Sequence, residues 1–266
     1  MKIAGSSNKN KTMKPKPLLI TGGSLLFVMA AITIIALCMK PSAAKRTADG
    51  LASFEAAQRD YSAAQYKPAE SEARRAVKLF GQLAREVPKR KDFRVQLGHS
   101  QCLLGDVLSA TDRPDEAEQV LGEALQVFQK AAVNYPNDPF MRQEQAWTLV
   151  KFGSLMESDG RLDEAEQRFR SAVEVYAALK QQFPKKSWYV HEEGYATWML
   201  AGILQRAGRQ DEAETEFRRA IKLHEQGIQD FPNQLDFEAR LSAIRGNLAD
   251  LLRTEGKPAE VEAISK

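Results

Sequence analysis

GRLDEAEQRFRSAVEVYAALKQQFP, residues 160–184, holds the end of one helix and the whole of the next. Gly160-Arg161 closes the first helix, since glycine tolerates the left-handed conformation that often follows a last turn. Asp163-Glu164-Ala165-Glu166 opens the second. Acids there either cap free amides or face the positive end of the helix dipole. Ala165, Phe169, Ala172, Val173 and Tyr176 recur at helical spacing and give the helix one apolar face. Phe183-Pro184 stops it, because proline removes a backbone donor and clashes with the preceding turn.

The same punctuation recurs on both sides. Val87-Pro88, Tyr135-Pro136, Phe183-Pro184 and Phe231-Pro232 stand 48 residues apart. Asp115-Glu116-Ala117-Glu118, Asp163 to Glu166, Asp211-Glu212-Ala213-Glu214 and the eroded Ala259-Glu260-Val261-Glu262 keep that period. Two independent columns in one register predict a repeat of helix pairs. Gly208-Arg209 repeats the helix end at Gly160, and Pro68-Ala69-Glu70-Ser71-Glu72 fits one period upstream as a degenerate half-repeat. Gly105 and Gly153 fall inside the first helix of their repeats, in one column with Ala201 and Ala249. A glycine inside a helix costs about 1 kcal/mol against alanine, so close packing against a neighbouring helix is expected there. The facing helix offers small residues as well: Ala117, Ala165 and Ala213, then Ala124, Ala172 and Ala220.

Phe152-Gly153, Ala165, Phe169, Ala172 and Pro184 resemble the tetratricopeptide repeat. The family's unit is about 34 residues, and this one has 48. Each helix gains seven residues, close to two turns, so neither buried face rotates. The resemblance covers about residues 49–266 and implies an all-α solenoid of antiparallel helix pairs. The expected divisions are a degenerate first repeat at 49–88, repeats at 89–136, 137–184 and 185–232, and a truncated last repeat at 233–266. It implies nothing about which function the array serves.

Ahead of the repeats, residues 1–17 form a basic tail, residues 18–39 an uncharged run of 22, and residues 40–48 an expected linker. The run LLITGGSLLFVMAAITIIALCM would make a helix about 33 Å long, enough to cross a bilayer. The five lysines of the tail favour a cytoplasmic N-terminus, with the repeats on the extracytoplasmic side. A cleaved signal peptide ending near Ser42-Ala43-Ala44 is the alternative, although a signal core is usually shorter. A lipoprotein site at Cys38 fits poorly behind bulky Leu37, and no GxxxG pattern points to pairing in the membrane.

The net charge of +3 is unevenly spread: residues 1–46 hold eight basic residues and no acid, leaving 30 basic against 35 acidic beyond. A body of that sign does not suit nucleic acid. The two cysteines, Cys38 and Cys102, supply no disulfide framework. His99, His191 and His224 lie at no metal-ligand spacing, and His191-Glu192-Glu193 are adjacent helical residues expected to point apart. No phosphate loop or nucleophile elbow occurs. The expectation is a protein without catalysis, cofactor or metal.

Two surfaces are expected to meet partners. In tetratricopeptide arrays the first helix of each pair lines the concave face, which implies a groove containing Trp147, Tyr195 and Trp198. His191 joins the candidate groove, since His191, Tyr195, Trp198 and Gly202 share one helix face by spacing. Core packing between repeats is the other reading of these rings. The basic columns with which some family members clamp a carboxylate hold Cys102, Val150 and Trp198, and Asp106, Ser154 and Gly202. The second surface is Ile244, Leu248, Leu251 and Leu252 on the end helix, which a short tail either covers or leaves open for a second copy. The expected function is a membrane-anchored adaptor or chaperone-like receptor for proteins or peptides. A self-associating envelope scaffold is the alternative.

Overall fold

The computed structural model describes residues 41–232 and 236–264. The basic tail, the expected span at 18–39 and Lys40 lie outside them. Ala43–Lys266 makes one compact unit, built of helix pairs. They are α1 (Ala43–Ser62) with α2 (Tyr66–Glu86), α3 (Lys91–Ala110) with α4 (Pro114–Asn134), and α5 (Pro139–Ser158) with α6 (Leu162–Gln182). Then come α7 (Ser187–Arg206) with α8 (Gln210–Asp230), and α9 (Asp236–Thr254) with the short α10 (Pro258–Ile264). First helices begin at 43, 91, 139 and 187 and second helices at 66, 114, 162, 210 and 258, in steps of 48 residues. Each helix packs on its sequence neighbours, and first helices also touch one another, α1 with α3, α3 with α5 and α7 with α9. The first helices therefore form the inner layer of an all-α solenoid.

Each pair closes at a left-handed residue. Ala64, Asp112, Gly160, Gly208 and Gly256 all have φ between 55° and 77°, again 48 residues apart. Three are glycines, for which this conformation carries no steric cost. Ala64 and Asp112 adopt it without that help, which is why Gly-Arg punctuation was absent from the first repeats. The first repeat is a full helix pair, not a half. Its α1 starts at Ala43, inside the expected linker, because Arg46 is buried against Glu86 at 2.9 and 2.5 Å and ties the start of α1 to the end of α2.

Within pairs, small residues meet large rings. A Cβ built on Gly50 would lie 2.9 Å from the Phe80 ring, and one on Gly98 2.4 Å from Phe128. At Gly194 it would meet His224 at 2.4 Å, and at Gly105 and Gly153 it would meet Leu121 at 2.8 Å and Phe169 at 2.9 Å. The glycine column at 105 and 153 is thus a close-packing column, as its cost in helix propensity implied. Phe80, Phe128, Phe169 and Phe217 fill the core these approaches create.

Between repeats, charge sets the register. Arg113, Arg161 and Arg209 each pair with the glutamate three residues on (Glu116, Glu164, Glu212) and with Glu70, Glu118 or Glu166 of the preceding second helix. Lys257 continues the column on Glu214 at 2.7 Å. The first-turn acids do not act through caps, since Arg113, Arg161 and Arg209 hold the N-cap positions without a side-chain cap bond. They face the dipole and the arginines, whose hydrogen bonds hold Glu116, Glu164 and Glu212 below the usual carboxylate range.

The end stripe is closed. Ile244, Leu248, Leu251 and Leu252 of α9 are completely buried, with Val261 and Ile264 of α10 packed on the same core. The expected self-association surface is therefore interior: seven residues of α10 complete a cover that α7 and α8 begin.

Gly98 and Gly122 separate packing from propensity. Gly98→Ala drives a methyl into Phe128 and should destabilise the chain by about 1–3 kcal/mol. Gly122, in the interior of α4, has nothing within 4 Å of an added Cβ, so Gly122→Ala should stabilise by about 0.5–1 kcal/mol. Denaturant melts followed by circular dichroism at 222 nm check both signs.

Candidate functional site: the inner helix face

The inner layer opens into a concavity of about 290 Å³ between α3, α5 and α7. Trp147 and Tyr195 line it, with Asp106, Lys151, Ser109 and Ser154 as its polar contacts. Lys151 bridges both oxygens of Asp106 at 2.7 and 3.0 Å and lies 5.0 Å from the centre of the Trp147 ring. Burial pushes the Asp106 carboxyl above its usual range, and the Lys151 ammonium holds it back. Burial likewise raises the Tyr61 hydroxyl on α1, with the Asp106 charge adding to the effect. Three consecutive first helices thus contribute to one patch in which a single ion pair is flanked by rings.

The patch continues towards α9. Tyr195 meets Trp198 edge-on at 6.1 Å, and the Arg240 guanidinium lies 4.3 Å over the Tyr195 ring. Trp198 Nε1 donates to Asn247 Oδ1 at 2.8 Å. Trp147, Tyr195 and Trp198 are all half-buried; Tyr195 and Trp198 pack on the core, and Trp147 and Tyr195 line the concavity. Tyr195 thus reaches the core and the recess at once, as a large aromatic on an inner face can. Sequence reasoning missed Arg240 and Asn247. Arg240 stands one period after Glu192, and only a charge reversal within that column could have pointed to it.

His191 is not on this surface. It is buried, with its Nδ1 2.9 Å from Glu192 Oε1 and its ring 5.4 Å from Phe237 and 5.8 Å from His224. One turn before Tyr195, the helix face has rotated under α9. Its contact with Glu192 also corrects the expectation that adjacent residues point apart: the glutamate side chain bends back to the imidazole. Glu193 is equally buried but turns the other way, to Lys180 at 2.7 Å and Arg219 at 3.1 Å. Among the described residues, no three His, Cys, Asp or Glu side chains form a group that could hold a metal ion. Cys102 is buried beside Thr148, and burial pushes its thiol up to about 12.

His224 is the interior group most exposed to a change of pH. Its Nδ1 donates to the Ala220 carbonyl at 2.9 Å, while Nε2 is buried without a partner. Burial drives the imidazole below its ordinary value, the hydrogen bond to the Ala220 carbonyl works against that, His191 and Arg240 add to the lowering, and Glu192 opposes it. An unfolded histidine takes up its proton near pH 6.5, whereas the folded one does so only at lower pH. Its contribution to stability is therefore complete above pH 6.5 and drains as pH falls towards the folded value. His224→Phe copies Phe80 and Phe128, which occupy the same column over Gly50 and Gly98. The unfolding free energy of this variant should gain on the wild type as pH falls from 7.5 to 5.5, by at most about 1.4 kcal/mol per pH unit. Urea melts at four pH values read that difference directly.

With the geometry described, the relationships of the chain can be stated. The tetratricopeptide repeat family profile matches residues 98–123 and 194–219. These segments run from the first helix of a pair into the second, in α3–α4 and in α7–α8. No curated protein matches the chain. Among solved structures, the apo form of RapI shares the fold with a TM-score of 0.53 at 13% identity, over 91% of this chain and 87% of that one. BtubC (BKLC) from P. vanneervenii does so with a TM-score of 0.51 at 15% identity, over 85% of this chain and 89% of that one. The fold is a tetratricopeptide-like α-solenoid.

Proposed function

We propose that this chain is a non-catalytic, membrane-anchored interaction module. On this reading it is a 48-residue variant of the tetratricopeptide repeat, and its inner face takes an extended segment of another protein. The observation that carries the reading is the concavity between α3, α5 and α7, where Trp147 and Tyr195 flank the Asp106–Lys151 pair. Rings held rigidly at a recess are the usual anchors of protein interfaces, since they bury large area at little entropic cost. Ser109 and Ser154 supply hydroxyls for the main chain of a bound segment. Without a second cation beside Lys151 in this recess, the grip is aromatic and hydrogen-bonded rather than a clamp on a terminal carboxylate.

Anchoring rests on residues 18–39, an uncharged run fenced by lysines. Among the described residues no helix is long and apolar enough to cross a membrane, so the proposed anchor is that run alone. The excess of lysine before it supports a cytoplasmic N-terminus and an extracytoplasmic solenoid. A tethered module meets membrane-associated partners at raised local concentration without any new contact. The scaffold alternative loses support with the burial of Ile244, Leu248, Leu251 and Leu252.

Random-peptide display against the full chain in detergent tests the groove. Selected peptides should lose at least about tenfold in affinity to Trp147→Ala with Tyr195→Ala, the effect of removing two interface anchors. Ser154→Trp, which fills the recess from its open side, should do the same with an unchanged thermal melt. Peptides that bind both variants as well as the wild type would place the interaction elsewhere.

A further inference from the structure

One edge of the solenoid gathers the turns that join one pair to the next. Here lie the ends of α2, α4, α6 and α8 and the starts of α1, α3, α5, α7 and α9. The Arg46–Glu86 pair fixes the start of α1 beside the first of these turns, so the chain arrives at Ala43 on this edge. Of the five large hydrophobic side chains that are exposed among the described residues, four belong to it: Val87, Val133 (80% exposed), Phe140 and Trp188 (49%). Trp188 stacks on His191 at 6.0 Å and Phe140 meets His99 edge-on at 6.5 Å, so these rings pack with one side and leave the other in water, and Val133 is 80% exposed.

The first three of these turns are basic, whereas the fourth, from the end of α8 into α9, holds Asp230, Asp236 and Glu238 and no Lys or Arg over residues 228–238. Residues 85–94, 130–142 and 180–188 contain ten Lys and Arg against three Asp and Glu. All three acids have cationic partners: Glu86 with Arg46, Asp92 with Arg90 and Asp138 with Lys91. Lys89, Lys130, Lys185 and Lys186 are exposed. The opposite edge is reversed, with nine acids against Arg113 and Arg161 over residues 109–118 and 157–166. Over its first three turns this edge is therefore basic and studded with apolar side chains, and the edge opposite them is acidic without such side chains.

We propose that the basic edge lies on the surface of an anionic phospholipid bilayer. The proposal rests on the anchor reading for residues 18–39 and extends it to the solenoid's orientation. Val133, Phe140 and Trp188 would enter the interfacial zone, where tryptophan is favoured, while the lysines reach the phosphates. Only three residues separate Met39 from Ala43, so an anchored chain brings this edge to the bilayer, and the acidic edge is repelled from it. Both charge terms are screened by salt. An acidic protein would match the lysines, but it would not account for the edge being the one that receives the chain.

The experiment uses the full chain with Cys38→Ser in lipid nanodiscs, carrying an environment-sensitive fluorophore on Val133→Cys or Asp159→Cys. In discs containing phosphatidylglycerol, headgroup spin-labelled lipid should quench the probe at position 133 and spare the one at 159. Quenching at 133 should fall at least threefold in pure phosphatidylcholine, in 1 M salt, and in Lys89→Glu with Lys185→Glu and Lys186→Glu. Equal quenching at the two positions, or none at 133 in discs that hold the protein, would overturn the orientation and leave the anchor standing. A chain that fails to enter discs at all would overturn the anchor, and the orientation with it.

Discussion

The approach of a small residue to a ring across the helix pairs α1–α2, α3–α4 and α7–α8 is the contact on which the solenoid depends. A repeat of two helices cannot bury its own apolar face, so its stability comes from stacking. Stacking at a constant step needs each pair to have the same thickness. Gly50 under Phe80, Gly98 under Phe128 and Gly194 under His224 set that thickness by the same device in three pairs, and in α5 and α6 the same columns hold Ala146 and Tyr176, both buried. The ring is never displaced, although its chemistry changes from Phe to Tyr to His. At the last of these positions the fold accepts an imidazole with a buried, unpartnered nitrogen, a polar atom at an apolar station. Shape is held constant there while polarity drifts.

Electrostatics does a second and weaker job. The arginines at 113, 161 and 209 each hold two glutamates, one on their own helix and one on the helix before. Exposed ion pairs contribute only about 0–1 kcal/mol each, so the column does not carry the fold. What it does is penalise a slip of one repeat along the next, because a shift would part the pairs that cross between repeats all at once. Gly122 stands where Arg74, Arg170 and Arg218 reach Glu116, Glu212 and Glu260 of the next repeat, and there the pair of Arg161 with Glu118 remains. Such redundancy is what a register device needs and a stability device does not.

Much of this was legible in the residues, and what was not has a common cause. The period, the helix pairs and the packing role of Gly105 and Gly153 follow from residue types that mark local backbone and close approach. The left-handed column was visible at Gly160 and Gly208 but hidden at Ala64 and Asp112, because there the tertiary fold imposes a conformation the residue does not prefer. The start of α1 was hidden because it is fixed by Arg46 reaching a glutamate 40 residues away. The stripe from Ile244 to Leu252 reads as bare by length alone, since a helix of seven residues is a weak signal and yet a sufficient lid. His191 shares a helical face with Tyr195, but the depth of a face depends on the neighbouring helix, and α9 covers that end of it.

The inner face and the basic edge bear on one another. A groove open to partners must not be occluded by whatever holds the protein in place. In an α-solenoid the inner face is made by the sides of the first helices, whereas the edges are made by the ends of all of them. Contact through the ends therefore leaves the sides free. The bilayer would hold the solenoid by the turns at Val87, Val133 and Trp188, and the recess between Trp147 and Tyr195 would open along the membrane rather than into it. A segment lying beside the membrane would then reach the groove without the solenoid having to turn. Helix ends serve attachment and helix sides serve recognition, a division of labour that the repeat geometry makes available without any added domain.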